Sequence, residues 1–178
     1  MSELIKVTNR QESSDDCFVC GMKNPLGFKA QFYELENKEL ICLVNPRFEY
    51  QSYPNRLHGG IAATLLDEVM GRAILINDAN TWGVTVDMSM RYHKPTPLDE
   101  TLRVVARIDK DRHIFTASGE ILDENGTVLV SATGRYMKLP VDKITGVENS
   151  TSILYDVKPD REIKAVTSSG PLEIEYAD

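Results

Sequence analysis

The 178-residue chain contains no apolar run approaching the roughly 18 residues a membrane-spanning helix requires, and its opening, MSELIKVTNRQESSDD, lacks the apolar stretch of a signal peptide. A membrane is therefore not an expected partner, and the expected location is cytoplasmic. Cysteine is scarce: Cys17, Cys20 and Cys42 are an odd set of three, which argues against a secreted disulfide framework and for reduced thiols. Two cysteines three apart could begin a zinc site, but a structural zinc usually needs four ligands, and His58, His93 and His113 fall in other elements. No metal and no cofactor are expected. Positive charge is in deficit, with 20 Lys and Arg against 27 Asp and Glu for a formal charge of -7, so a phosphate backbone would be repelled. Nucleic acid is not an expected partner. Internal repeats and low-complexity tracts are absent as well.

What is present is the material of one packed domain, with 42% hydrophobic and 26% charged residues. Residues 1–16 are polar and acidic and read as a flexible leader. Residues 17–139 carry the periodic patterns of a folded domain, and residues 140–178 read as an extension with no assignable structure. Strands are expected near 28–35 and 39–44. From His58 to about Ile76, apolar residues recur at helical spacing and predict one long helix, entered through Gly59-Gly60.

After Asn77-Asp78 the period changes to two. Trp82, Val84, Val86, Met88, Met90 and Tyr92 alternate with polar or small residues, which predicts a strand with those six on one face. Three further strands follow in meander, the last two joined at Asn125-Gly126 by a two-residue hairpin. A helix apolar over most of its girth needs cover on most sides, and a curved antiparallel sheet wrapped around it supplies that cover.

The helix also carries a polar stripe of Thr64, Asp67, Glu68, Gly71 and Arg72. Glu68 stands four residues before Arg72, the favourable order for a helix ion pair. Asp67 has no cation one turn away on either side, and Gly71 leaves room beside it for a ligand or another subunit. At the helix start, the amides of Gly59, Gly60 and Ile61 lie at the positive end of the helix dipole, a suitable place to polarise a carbonyl oxygen.

The stretch HGGIAATLLDEVMG, followed by Thr85-Val86-Asp87-Met88 and RYHKPTPLDETL, resembles the hotdog-fold acyl-CoA thioesterases of the phenylacetic-acid-pathway and human thioesterase-superfamily type. The leader CFVCG with NPLG is similar to the start of many bacterial members. The resemblance implies an α+β hotdog fold and hydrolysis of an acyl-CoA thioester. It assigns the carbonyl-polarising amide to Gly59, the nucleophile or base to Asp67, and the hydroxyl that holds the attacking water, contributed across a dimer, to Thr85. The position that orients the water in relatives falls on Ser52, with Asn55 nearby. His58, Gly60 and Glu68 join the substrate-binding set, and Arg91, His93 and Lys94 are candidate contacts for the CoA phosphates. A homodimer or a dimer of dimers is implied. The alternatives are a non-enzymatic acyl-CoA-binding module and a hotdog-fold enoyl-CoA hydratase or dehydratase.

Overall fold

The structure is a computed structural model and describes residues 3–146 and 154–177. The long α-helix, α1 (Gly59–Arg72), runs on through a short 3-10 turn to Ile76 and buries Ala62, Leu65, Leu66, Val69, Met70, Ala73 and Ile74. Each of these side chains larger than alanine is worth about 1.5–3 kcal/mol of hydrophobic burial. Around the helix curve β1 (Leu4–Arg10), β2 (Phe32–Leu35), β3 (Leu40–Val44), β4 (Trp82–Tyr92), β5 (Leu102–Lys110), β6 (Ile114–Leu122) and β7 (Val128–Leu139), with β8 (Ile163–Thr167) and β9 (Ile174–Tyr176) beyond them. A short helix, α2 (Val141–Thr145), follows β7. The strand order is β4-β7-β6-β5-β3-β2-β1-β8-β9, with every pairing antiparallel.

This is the expected hotdog arrangement, with four corrections. First, β5, β6 and β7 form a meander, but β4 pairs with β7 rather than β5 and so becomes an edge of the sheet. Second, the turn at Asn125-Gly126 is not a two-residue hairpin. Asp123 and Thr127 close it by Asp123 N–H to Thr127 O (3.1 Å), and Thr127 N–H reaches the Asp123 carboxylate (2.7 Å), which leaves three residues across the tip.

Third, residues 1–16 are not a flexible leader over their described part. The N-terminal half of β1 pairs with β8 and its C-terminal half with β2, with an irregularity between Val7 and Asn9. Fourth, the 140–178 extension contributes β8 and β9. The physical reason for both is the second face of the sheet. The run Leu40–Val44 is apolar throughout because Leu40 and Cys42 face α1 while Ile41 and Leu43 face away. Ile5 and Val7 of β1, Ile163 and Val166 of β8 and Ile174 of β9 cover that outer face, together with Val105 and Leu122. Arg103, fully buried on the same side, donates to the Thr167 hydroxyl (2.7 Å) and to the carbonyls of Thr167 and Gly170.

Candidate active site

Sheet and helix come close together where Gly71 of α1 meets Gly83 of β4. A Cβ on Gly83 would lie 2.9 Å from the Gly71 carbonyl and 2.6 Å from the Phe115 ring, so only glycine fits there. The space beside Gly71, expected to be left for a ligand, is occupied by the Tyr136 ring.

This close approach places Thr85 over the helix. Its hydroxyl donates to Asp67 Oδ1 at 2.8 Å, and the Tyr136 hydroxyl donates to the same oxygen at 3.3 Å. Tyr136 is fully buried and stacks on Phe115 with ring centroids 5.2 Å apart. Burial, with the Asp67 charge beside it, raises its pKa well above that of an ordinary tyrosine, so the phenol stays protonated and remains a donor. Among the described residues Asp67 Oδ2 has no hydrogen-bond partner. Tyr136 escaped sequence reasoning because an aromatic in an alternating strand reads as core; only its polar tip hints at a partner.

Thr85 reaches Asp67 because β4 contains a bulge. Thr85 pairs with Tyr136 and Asp87 with Arg135, which leaves Val86 without a counterpart. The inward set is therefore Gly83 and Thr85 before the bulge and Met88, Met90 and Tyr92 after it. The expected single face from Trp82 to Tyr92 is corrected accordingly, and Val86 is 45% exposed. Bulges near sheet edges commonly re-aim a side chain in this way. The expectation that Thr85 comes from across a dimer is corrected too, since it meets the Asp67 of its own chain.

The N-terminus of α1 forms a second group. His58 caps the helix, its Nδ1 accepting the Gly60 N–H at 3.0 Å, and the Ile61 N–H donates to the His58 carbonyl at 2.9 Å. Of the three amides expected to be free, only that of Gly59 has no acceptor among the described residues. Gly60 and His58 serve as cap partners to each other. The Tyr92 hydroxyl donates to the Gly59 carbonyl at 2.8 Å and its ring lies against the glycine, a contact the sequence did not disclose.

The remaining candidates lie near this second group or apart from both. Ser52 and Asn55 are exposed on the loop that leads into the helix. Asn55 takes a positive φ of 59°, and its N–H donates to Gln51 Oε1 at 2.7 Å. Neither side chain meets Asp67. Arg91, His93 and Lys94 are exposed at the Tyr92 end of β4, with His93 Nε2 2.8 Å from the Ser131 hydroxyl. Glu68 does not join the Asp67 group: it pairs with Arg72 at 2.7 Å on the side of the helix that faces Cys17 and Cys20. The thiols of Cys17 and Cys20 and the Glu68 carboxylate are the described donors grouped closely enough to hold a metal ion.

One distance governs what these parts can do. Gly59 and Asp67 are eight residues apart, so their backbones are separated by about 12 Å along the axis. A carbonyl in direct contact with both groups would lie about 3 Å from each. The two therefore do not both touch one carbonyl within a single chain.

A family model described as the thioesterase superfamily matches residues 55–130, which include α1, β4, β5 and β6. The chain is similar to "Acyl-coenzyme A thioesterase 13" of Homo sapiens, at 30% identity over 100 residues, covering 56% of this chain and 71% of that protein. It is also similar to "Acyl-coenzyme A thioesterase THEM4" of Rattus norvegicus, at 29% identity over 138 residues. That match covers 75% of this chain but 58% of the relative's length. Among solved structures, the crystal structure of RHA08564, a thioesterase superfamily protein, is 33% identical with a TM-score of 0.64, covering 70% of this chain and 60% of that one.

Proposed function

Because this chain belongs to the thioesterase superfamily, we propose that it hydrolyses acyl-CoA thioesters to the free acid and CoA, with Asp67 as the group that delivers water to the carbonyl carbon. The observation that carries this reading is the Asp67 carboxylate, anchored through Oδ1 by two hydroxyl donors and free at Oδ2. The anchored oxygen fixes the orientation, and the free one takes the proton as water attacks. Thr85 spends its only O–H on Asp67, so its oxygen lone pairs are left to accept from that water and hold it. The unclaimed amide of Gly59 stabilises the developing oxyanion, a contribution of about a hundredfold for a single donor of this kind.

The separation of Gly59 from Asp67 supports a homodimer as the working unit. Strand β4 is a sheet edge with exposed Val86 and Tyr92, and pairing two such edges about a two-fold axis sets the helices antiparallel. Asp67 of one chain then faces Gly59 of the partner subunit across the interface, and two sites arise per dimer. Arg91 and Lys94 border the Gly59 end, which is where the CoA phosphates would lie. The hydratase alternative lacks a histidine beside the carboxylate, since His58 is tied to Gly60 and His93 to Ser131.

The test is release of free CoA thiol across a panel of short, medium and aromatic acyl-CoAs by the wild-type and Asp67→Asn proteins. Asp67→Asn is expected to lower kcat by about 10²–10⁴-fold at unchanged stability. Wild-type turnover by that variant would remove Asp67 from the mechanism.

A further inference from the structure

A second chemical group lies toward the C-terminal end of α1, around Glu68 and Arg72. In the turn Cys17-Phe18-Val19-Cys20, the Cys17 sulfur accepts the N–H of Val19 at 3.3 Å and of Cys20 at 3.5 Å. The turn is held by Gly21, whose N–H donates to the Cys17 carbonyl at 2.9 Å and whose Cβ, if present, would lie 2.2 Å from that oxygen. The Cys20 sulfur lies 3.1 Å from a guanidinium nitrogen of Arg72 and 3.4 Å from the Ser14 hydroxyl. Both sulfurs and the Glu68 carboxylate fall within 4.8 Å of one another.

Arg72 itself has almost no freedom. Its side chain is 4% exposed, pairs with Glu68, donates to the Glu12 carbonyl at 3.1 Å and stacks over the rings of Phe32 and Trp82 at 4.4 and 5.4 Å. A fixed cation thus already stands beside Cys20 and Glu68, where its charge would repel a divalent ion. The same cation favours a thiolate at Cys20. The neighbouring Cys17 thiol, reinforced by the Arg72 charge, lowers the Cys20 pKa to about 6, while Cys17 is pushed upward by its closeness to Cys20 and by burial. Cys17 is the half-exposed partner and Cys20 the buried one.

We propose that Cys17 and Cys20 form a thiol–disulfide exchange site that takes a low-molecular-weight disulfide such as oxidised glutathione. The pair shares one proton, and in the minor form that places it on Cys20 the accessible Cys17 sulfur attacks one sulfur of the small disulfide, whose S–S bond breaks to release one thiolate. The Cys20 sulfur then attacks Cys17 in the mixed disulfide and releases the second small-molecule thiol. Two protein sulfurs are oxidised, one disulfide is reduced to two thiols, and no further reactant is needed. Closing the bond requires the sulfurs, which lie within 4.8 Å of each other, to come to about 2.05 Å. Arg72 afterwards keeps Glu68 as its single anionic partner.

The experiment equilibrates the full chain in reduced and oxidised glutathione at varied ratios, quenches with acid, alkylates under denaturing conditions and measures intact mass with peptide mapping. The expected product has lost two alkylatable thiols, carries no adduct, and links Cys17 to Cys20 while Cys42 is still alkylated. Cys20→Ser is expected to form the mixed disulfide on Cys17 more slowly and to stop there, because both the proton acceptor and the resolving sulfur are gone. The rate of exchange in wild type should rise about tenfold between pH 5 and pH 7. Three thiols that stay alkylatable at every ratio in a protein with native circular dichroism would overturn the proposal. A bridge to Cys42, or bound zinc that must be chelated before either thiol reacts, would overturn it equally.

Discussion

The Thr85 hydroxyl lies 2.8 Å from Asp67 only because Val86, the next residue along β4, has no partner on β7. Without that extra residue the alternation that turns Met88 and Met90 inward would turn Val86 inward as well, and Thr85 would face away from the helix. The bulge thus exchanges a valine for a hydroxyl at the one place where the carboxylate needs a donor.

Replacing Thr85 by valine keeps the shape and removes the donor. Turnover of the best acyl-CoA is expected to fall about tenfold or more, equivalent to about 1.4 kcal/mol in the transition state. Thr85→Ser should retain most activity. Thr85 is exposed, so the melting temperature should move by no more than about 2 °C. Thermal unfolding run beside the thiol-release assay separates loss of chemistry from loss of fold.

Tyr136→Phe removes the second donor while leaving the stacked ring in place. The longer contact of 3.3 Å predicts a smaller effect, a few-fold loss in kcat. A pH profile adds an independent reading. Burial holds the Tyr136 phenol above the ordinary tyrosine value of about 10, so its proton is still bound there. The wild-type rate should therefore show no alkaline loss from Tyr136 up to about pH 10. A fall centred near pH 10 that disappears in Tyr136→Phe would contradict the assigned environment.

The helix and its polar stripe were legible because periodicity is a local property: Ile61 to Ile74 recur at 3.6 whatever the rest of the chain does. Asp67 was legible for the related reason that no cation stands one turn away. The β4 bulge was not, because Trp82 to Tyr92 alternate without a break in sequence, and the slip is imposed by β7, whose residues lie some fifty positions later. Strands β1 and β8 were hidden in the same way. Leu4, Ile5 and Val7 form a weak pattern whose partners Thr167, Val166 and Leu35 are remote. Nothing near Arg103 in sequence announces the carbonyls that receive it.

The dimer reading makes Val86 a sensitive position. Val86→Lys puts a charge on the exposed β4 edge, the residue type that natural edge strands use to prevent pairing. Its expected outcome is a chain that sediments as a monomer, keeps its circular dichroism spectrum and loses most thioesterase activity, because each Asp67 is deprived of the opposing Gly59 amide. A fully active monomer at assay concentration would defeat the composite site. A dimer that persists would place the interface on another face.

The role of the C-terminal segment can be tested by ending the chain at residue 146. Truncation removes Thr167 and Gly170, the acceptors of a guanidinium that is fully buried in the intact fold, and uncovers Ile41, Val105 and Leu122. A buried cation stripped of its partners typically costs about 3–5 kcal/mol, a large part of the stability of a domain this size. The shortened protein is therefore expected to aggregate or to melt without a cooperative transition. Arg103→Met within it should recover part of the lost stability by removing the stranded charge. A truncated chain that unfolds cooperatively at the full-length melting temperature in scanning calorimetry would show that β8 and β9 are an appendage, and that Arg103 finds solvent at little cost.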